Sequence, residues 1–358
     1  MTRRVRLPVA AASPALPRLQ GRWVAAILDG EQVPAEPNAT CDDCAMLPEP
    51  GAARSGTWFN PATRCCTYLP ELANFLVGGA LAGGGDGAAT TRARLAAGDG
   101  LSPLGLAQHD AFRAAYEGSP EAFGRAEALV CPHFADGRCT VWAHREATCA
   151  TWFCKHARGA VHKGFWNRLH QAMQRMERAV ALHCALALGV PAEGLARLLP
   201  LVGPDGRPRS HDVFPRDGDD PAEFWGPWAG REEDFFRACA EVAEGLDGDE
   251  VLAAGGAELQ ALAPVLRRAL AATRDATLPP AVAVGAFQVL GLAPTAVKVQ
   301  GYSHLDPLAV PRALFDVLHH FDGRPTDDAL AAATAEAGET VPPAAIRLLL
   351  DFGILRGG

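Results

Sequence analysis

Residues 131–154 read CPHFADGRCTVWAHREATCATWFC: four cysteines with seven, nine and four residues between them, in a stretch broken by proline, aspartate and glycine. Such a stretch has little apolar material of its own, so an ordered fold here needs something other than a hydrophobic core to hold it. Upstream stand Cys41-Asp42-Asp43-Cys44 and, twenty residues further on, the vicinal pair Cys65-Cys66, in a run rich in Pro48, Pro50, Gly51, Ser55, Gly56, Asn60 and Pro61. Eight of the ten cysteines thus fall between 41 and 154. A two-residue gap lets both sulfurs of a CxxC reach one ion, and eight thiols is the count for two four-sulfur sites. Core cysteines follow helical or strand periods, and these do not. Disulfides belong to oxidising compartments, whereas Pro8, Ser13, Pro14 and Pro17 interrupt what would be the apolar part of an export signal after Arg3, Arg4 and Arg6. The expectation is a cytoplasmic protein with metal ligands at Cys41, Cys44, Cys65, Cys66, Cys131, Cys139, Cys149 and Cys154. His133, His144, His156 and His162 lie near them in sequence and read as supporting donors or surface residues in preference to ligands. Cys184 and Cys239 sit in helical patterns and read as core thiols.

Working outward, Trp166, Leu169, Met173, Met176, Val180, Cys184 and Ala187 step by three and four, which predicts one face of a helix over about 162–188 behind the cysteine loops. Further helices are expected at 105–117, 192–199, 231–245 and 257–273, and a short one at 71–77 stopped by Gly78-Gly79, with Gly83–Gly85 as a flexible connection. A short strand is expected around Trp23–Leu28. From about 295 the texture changes: Thr295–Tyr302 alternates as a strand, Pro311 opens a helix, Asp322-Gly323-Arg324-Pro325 turns, and Thr326 and Thr340 can cap two more helices. The reading is mainly α, with an N-terminal lead-in (1–35), an irregular, metal-organised Cys-rich domain (36–160), a helical domain (161–294) and a C-terminal winged-helix-like unit (295–358).

Composition narrows the function classes. With 358 residues the chain is long enough for two or three domains. It carries 33 basic and 41 acidic residues, and its only lysines are Lys155, Lys163 and Lys298, so no patch suits nucleic acid or a membrane surface. Residues 302–358 hold four arginines and eight acids, which argues against DNA binding by the C-terminal unit. No run approaches the about 20 apolar residues of a membrane span. Asp217-Gly218-Asp219-Asp220-Pro221 fails as a calcium loop and reads as a solvated turn, and no nucleophile elbow is present. The aromatics Phe224, Trp225, Trp228, Phe235 and Phe236 read as core.

The cysteine pattern resembles the YkgJ-like cysteine-cluster family, described as zinc- or iron-chelating domains, over about 41–156. The residues that carry the resemblance are Cys41-x-x-Cys44, Cys65-Cys66, Cys131-Pro132, the Gly137-Arg138-Cys139 turn, Trp142, Arg145, Cys149 and Cys154. Two departures stand out: the family places its CxxC a few residues before the double cysteine, and has proline where Glu146 stands here. The wide gap leaves open whether Cys41 and Cys44 share a site with Cys65 and Cys66. The resemblance implies metal binding. The C-terminal unit is similar to small winged-helix modules of the PqqD type, through Val297-Lys298-Val299, Leu314–Gly323 and Asp351–Leu355, which implies a peptide or protein partner held against a β-edge near Val297–Val299.

Four thiolates suit zinc and iron–sulfur clusters alike. The aromatic shell of Trp142, Trp152, Phe153 and Trp166, which would lower the local dielectric around a charged cluster, favours an iron–sulfur cluster, with Zn as the alternative. The function expected is redox or modification chemistry on a protein or peptide; the alternatives are a zinc-stapled, non-catalytic binding module, and metal sequestration or delivery.

Overall fold

The computed structural model describes residues 16–37, 39–47, 58–119, 122–199 and 220–358. Most of the N-terminal export-signal reading, the prolines and glycines between 48 and 57, and most of the 203–221 loop lie outside the described residues. Of the acidic turn only Asp220 and Pro221 are described. They open a helix whose first amides Asp220 caps, Ala222 N–H donating to its carboxylate at 2.9 Å.

The chain is mainly α. Its first helix, α1 (Arg18–Ile27), replaces the strand expected at 23–28. Trp23, Val24 and Ile27 of α1 are buried, so the apolar run makes a helical stripe, with period 3.6 winning over period 2. A three-stranded antiparallel sheet of very short strands, β1 (Leu72–Ala73), β2 (Leu101–Ser102) and β3 (Gly105–Leu106), with β3 central, frames α2 (Asn74–Ala82) and α3 (Gly85–Ala97). Helix α2 does not stop at Gly78-Gly79. A side chain at Gly78 would collide with the Phe236 carbonyl, so glycine here is what allows two helices to approach, and Gly85 opens the next helix where a flexible connection was expected. Helix α4 (Asp110–Glu117) is shorter than the predicted 105–117 because Gly105 and Leu106 pair in the sheet.

The hairpin β4 (Phe134–Ala135) and β5 (Arg138–Cys139) and the short helix α5 (Ala147–Thr151) carry the later cysteines. Helix α6 (Gly159–Ala187) follows and is the scaffold expected. Trp166, Leu169, Met173, Met176, Val180 and Cys184 are all buried along it, each of the large ones contributing about 1.5–3 kcal/mol by burial. Ala187 falls on the exposed side. Around α6 pack α1, α2, α7 (Ala192–Leu198), α8 (Pro221–Trp225), α9 (Glu232–Gly245), α10 (Gly248–Ala254) and α11 (Gly256–Arg274) in one core. Trp225, Phe235 and Phe236 meet edge to face at 5.4–5.9 Å, and Cys184 and Cys239 are buried beside them in the same core.

A second, separate core starts upstream of residue 295, taking in Leu278, Val282 and Phe287. It lies between two three-stranded antiparallel sheets and a set of short helices. One sheet has β6 (Ala281–Val284) at its centre; the other runs β7 (Gln288–Leu292), β8 (Ala296–Gln300), β9 (Leu308–Pro311). The helices are α12 (Arg312–Asp316), α13 (Thr326–Ala337) and α14 (Pro343–Asp351), and a 3₁₀ turn spans Leu318–His320. Asp322–Pro325, expected as a turn, is strand β10, which pairs with β6 on one side while β11 (Leu355–Gly357) pairs on the other. Neither Thr326 nor Thr340 caps a helix. Pro325 and Pro342 precede α13 and α14 with extended backbone, and the Thr326 hydroxyl donates to the Pro279 carbonyl. Strand β8 is central, hydrogen-bonded on both sides, so Val297–Val299 offer no free edge.

The two cores meet where the cysteine segment ends. Arg158 donates to both carboxylate oxygens of Asp351 at 2.8 and 2.9 Å and to the Thr273 carbonyl at 2.7 Å. The His156 amide donates to Asp306 at 3.2 Å.

Candidate metal centre

Three short segments bring the eight cysteines into one neighbourhood. The Cys131 amide donates to the Cys66 carbonyl at 2.8 Å, which ties the vicinal pair to the later block. The β4–β5 hairpin turns through Asp136 and Gly137, both with positive φ (49° and 76°), as a two-residue turn that matches strand twist requires. It thereby returns Cys139 to the side of Phe134. Arg138 on this hairpin pairs with Asp42 at 3.0 Å, joining it to the CxxC loop. Glu146, in the position where the resembling family has proline, caps α5: Cys149 N–H donates to its carboxylate at 2.8 Å.

Amides are aimed at the sulfurs in a repeated pattern. The amides of Met46, His133 and Val141, each two residues downstream, lower the thiols of Cys44, Cys131 and Cys139, and the Cys139 amide lowers that of Cys41. Such bonds favour the charged thiolate, the form that binds metal. The Cys66 thiol stands between Cys41 and Cys65, and its single hydrogen is shared with their sulfurs. This bond, followed by the Cys139 amide and the charges of Arg64 and Arg145, brings the Cys41 thiol down to about 6 despite burial, and the same donor lowers Cys65. Cys66 itself is driven up. Burial raises Cys44 and Cys139, and pushes Cys131 and Cys154 up to about 12. Cys149 is raised by burial and then by the Glu146 charge, yet keeps exposed surface.

Cys65 is the meeting point. Its charge is felt by Cys44, Cys66, Cys131, Cys139, Cys149 and Cys154, and it feels that of Cys41. Cys41 and Cys44 therefore share the neighbourhood of Cys65 and Cys66 across the long gap. The sulfurs are spread: among the described residues, no three cysteine sulfurs lie within 4.8 Å of one another. Cys184 and Cys239 stand apart, with the Cys184 thiol donating to the Cys239 carbonyl at 3.5 Å.

Two of the four histidines are engaged away from the sulfurs, and His133 keeps a buried Nδ1 without a hydrogen-bond partner. His162 meets Glu36 at 2.7 Å and His156 meets Tyr302 at 3.3 Å. His144 packs on Gly79 of α2, and His133 is buried with its Nε2 3.5 Å from Arg94. Burial first holds both His133 and His156 at about 4.

Sequence reading missed Arg64, immediately before the vicinal pair. Its φ of 51° is left-handed, an unfavourable conformation for a residue with a Cβ. Its Nε and Nη1 are buried without a hydrogen-bond acceptor, while its charge acts on Cys41, Cys44 and Cys65. The only cue was a basic residue beside two cysteines. Arg145, part of the motif, stacks over Trp142 at 3.4 Å and acts on Cys41, Cys65, Cys139 and Cys149.

No family model, curated protein or solved structure matches the chain. None of the described helices is long and apolar enough to cross a membrane.

Proposed function

We propose that the cysteines around Cys65 hold an iron–sulfur cluster on thiolates drawn from Cys41, Cys44, Cys65, Cys66, Cys131, Cys139, Cys149 and Cys154, and that the protein is a cytoplasmic one supporting redox or modification chemistry on a protein or peptide. The observation that carries this reading is Arg64. A partly buried arginine whose Nε and Nη1 reach neither water nor an acceptor is costly by itself, and an anionic metal–thiolate centre would supply both the counter-charge and sulfur acceptors. The repeated amide-to-sulfur bonds point the same way. The spread of the sulfurs favours a polynuclear centre: four sulfurs on one zinc ion, with bonds of about 2.3 Å, would sit only about 3.8 Å apart. A thiolate-bound cluster supplies one-electron transfer when bound. Around it Arg64 and Arg145 offset negative charge, the amides hold the thiolates, and Trp152, more than half exposed, donates to Cys154 and so joins these cysteines to solvent.

On this reading the winged-helix-like end holds the peptide partner along β7, not at Val297–Val299. Strand β7 ends its sheet, and Val289, Leu290 and Leu292 along it are exposed, a row of apolar side chains beside unpaired backbone groups to which an extended chain can add. The acidic surface of this unit keeps nucleic acid away.

The test is iron, zinc and acid-labile sulfide per chain in protein purified without oxygen. Iron with sulfide and a broad absorbance near about 400 nm is expected. Zinc without sulfide would replace this reading with a zinc-stapled binding module, and folded protein without metal would overturn both.

A further inference from the structure

We infer that His319, His320 and Glu336 form a second, thiolate-free site for a divalent late first-row metal ion such as zinc, on the surface of the C-terminal core. The three donor atoms lie within 4.8 Å of one another. The Nε2 atoms of His320 and His319 both face Glu336 Oε2, at 2.8 and 3.4 Å. With metal–ligand bonds of about 2.0–2.2 Å, neighbouring donors sit about 2.9–3.4 Å apart in octahedral to tetrahedral arrangements, so little movement is needed to close the trio on an ion.

A second observation comes from the protons. His319 Nδ1 lies 3.0 Å from the Asp316 carbonyl oxygen, which can only accept, so this nitrogen carries the hydrogen. A neutral His319 then presents the lone pair of Nε2 to a carboxylate oxygen. Two lone pairs face each other there, and only a proton or a metal ion between them makes the contact favourable. A backbone carbonyl that fixes the tautomer of a histidine is also the usual support of a metal-bound imidazole. The neighbouring His320 ring lies tilted against that of His319 with centroids 4.2 Å apart, so both imidazoles come to the same carboxylate. Asp316 is engaged by Arg312 at 2.8 Å and does not compete for the ion.

The donor set chooses the metal. Two imidazoles and one carboxylate suit zinc, nickel, cobalt or copper, not magnesium or calcium, which prefer oxygen alone. Three protein ligands also leave room for water or a further ligand. The two histidines end the 3₁₀ turn Leu318–His320 and the carboxylate sits near the end of α13. A bound ion would cross-link these elements just before Phe321, which is buried in the second core.

Cobalt(II) titration of the full-length protein, with its cysteine centre as purified, tests this. One added equivalent is expected, with weak visible bands and no sulfur-to-cobalt charge transfer. Binding should weaken in His320→Gln and in Glu336→Gln by more than the roughly 10- to 100-fold that losing a supporting hydrogen bond costs. It should be unchanged in His183→Gln, an exposed histidine of α6. Circular dichroism should show all three variants folded, since the altered residues lie at or near the surface. The proposal is overturned if no added equivalent binds, if both variants bind as the parent does, or if the only cobalt signal is thiolate charge transfer that both variants keep.

Discussion

The cysteine loops and the C-terminal unit solve the same problem by opposite means. Fifteen buried apolar side chains, from Val282 to Leu355, form one continuous cluster at the C-terminal end. In the cysteine loops Met46, Phe59, Leu69, Ala122, Leu129 and Val141 are buried, yet they belong to neither core. The first region encloses enough apolar area to order its own chain. The second has scattered contacts, a hairpin of two-residue strands and eight cysteines, most of them only partly buried. A segment short of apolar area needs cross-links to offset the entropy of ordering its backbone, and the metal centre proposed above would supply them through its thiolates.

The largest expected effect separates the two directly. Cys65→Ser removes the sulfur on which the others converge. It should abolish metal binding and open the cysteine loops on either side of α2–α4 to protease, while most of the helical circular dichroism persists, because the helices around α6 are held by their own apolar core. Phe321→Ala, at the heart of the other region, should cost about 3–5 kcal/mol in urea unfolding and leave metal content untouched. Metal analysis and limited proteolysis on both variants check this. A Cys65→Ser protein with parental metal content and cleavage pattern would erase the contrast.

Next in size is the clasp between the regions. Asp351 is 5% exposed and accepts from Arg158 and Arg347 together. Asp351→Ala leaves two guanidinium groups without their shared partner, and a loss of about 3–5 kcal/mol follows for breaking such a buried pair. Thermal and urea unfolding should show it, with iron or zinc per chain unchanged.

The difference between the regions also explains what could be read beforehand. Helix α6 announced itself because seven apolar residues kept a 3.6 period, and six of them are buried. The C-terminal helices were visible for the same reason. Strands β6 and β7 were not: Gln288–Leu292 are all exposed, so no alternation marked them, and the unit appeared to begin late. Asp322–Pro325 looked like a turn because Gly and Pro usually break strands, but at the edge of a sheet they are tolerated. Trp23–Leu28 was too short a run to tell the two periods apart. In the candidate site, cysteine spacing alone pointed to the neighbourhood, since chemistry is written in residue type. Arg64 was hidden because its role comes from burial and a left-handed backbone, neither of which leaves a pattern in sequence.

A smaller effect lies at the seam between the cysteine loops and α6. Glu177 accepts from the Ala147 amide at 3.1 Å and from Gln20 at 3.2 Å, and burial, with the Glu146 charge adding, raises its carboxyl well above the ordinary 4.5. Above about pH 4.5 the unfolded chain gives up this proton and the folded one keeps it, so the folded state binds more protons and stability falls as pH rises, by up to about 1.4 kcal/mol per pH unit. Glu177→Gln should flatten that decline. The variant has no carboxyl to titrate, and its oxygen can still accept from Ala147. The acid side should not change. His133 and His156 sit at about 4 when folded and 6.5 when unfolded, so their contribution is lost as pH falls through that window in both proteins. Urea midpoints from pH 4 to 8 (about the range these groups span) check both limbs, and parallel curves for parent and variant would refute the assignment.

The smallest effect expected is at an exposed ion pair that joins two of the cysteine loops. Asp42 lies inside the CxxC and pairs with Arg138 of the hairpin at 3.0 Å, but both side chains are well exposed. Water screens such a pair, and holding two side chains together costs entropy, so Asp42→Asn should change stability by at most about 0.5 kcal/mol. If the loops are held by sulfur and not by their surface, metal content and protease resistance will match the parent. A loss of metal in Asp42→Asn would mean that this pair sets the position of the CxxC loop, and that the region depends on its charged rim as well as on its thiols.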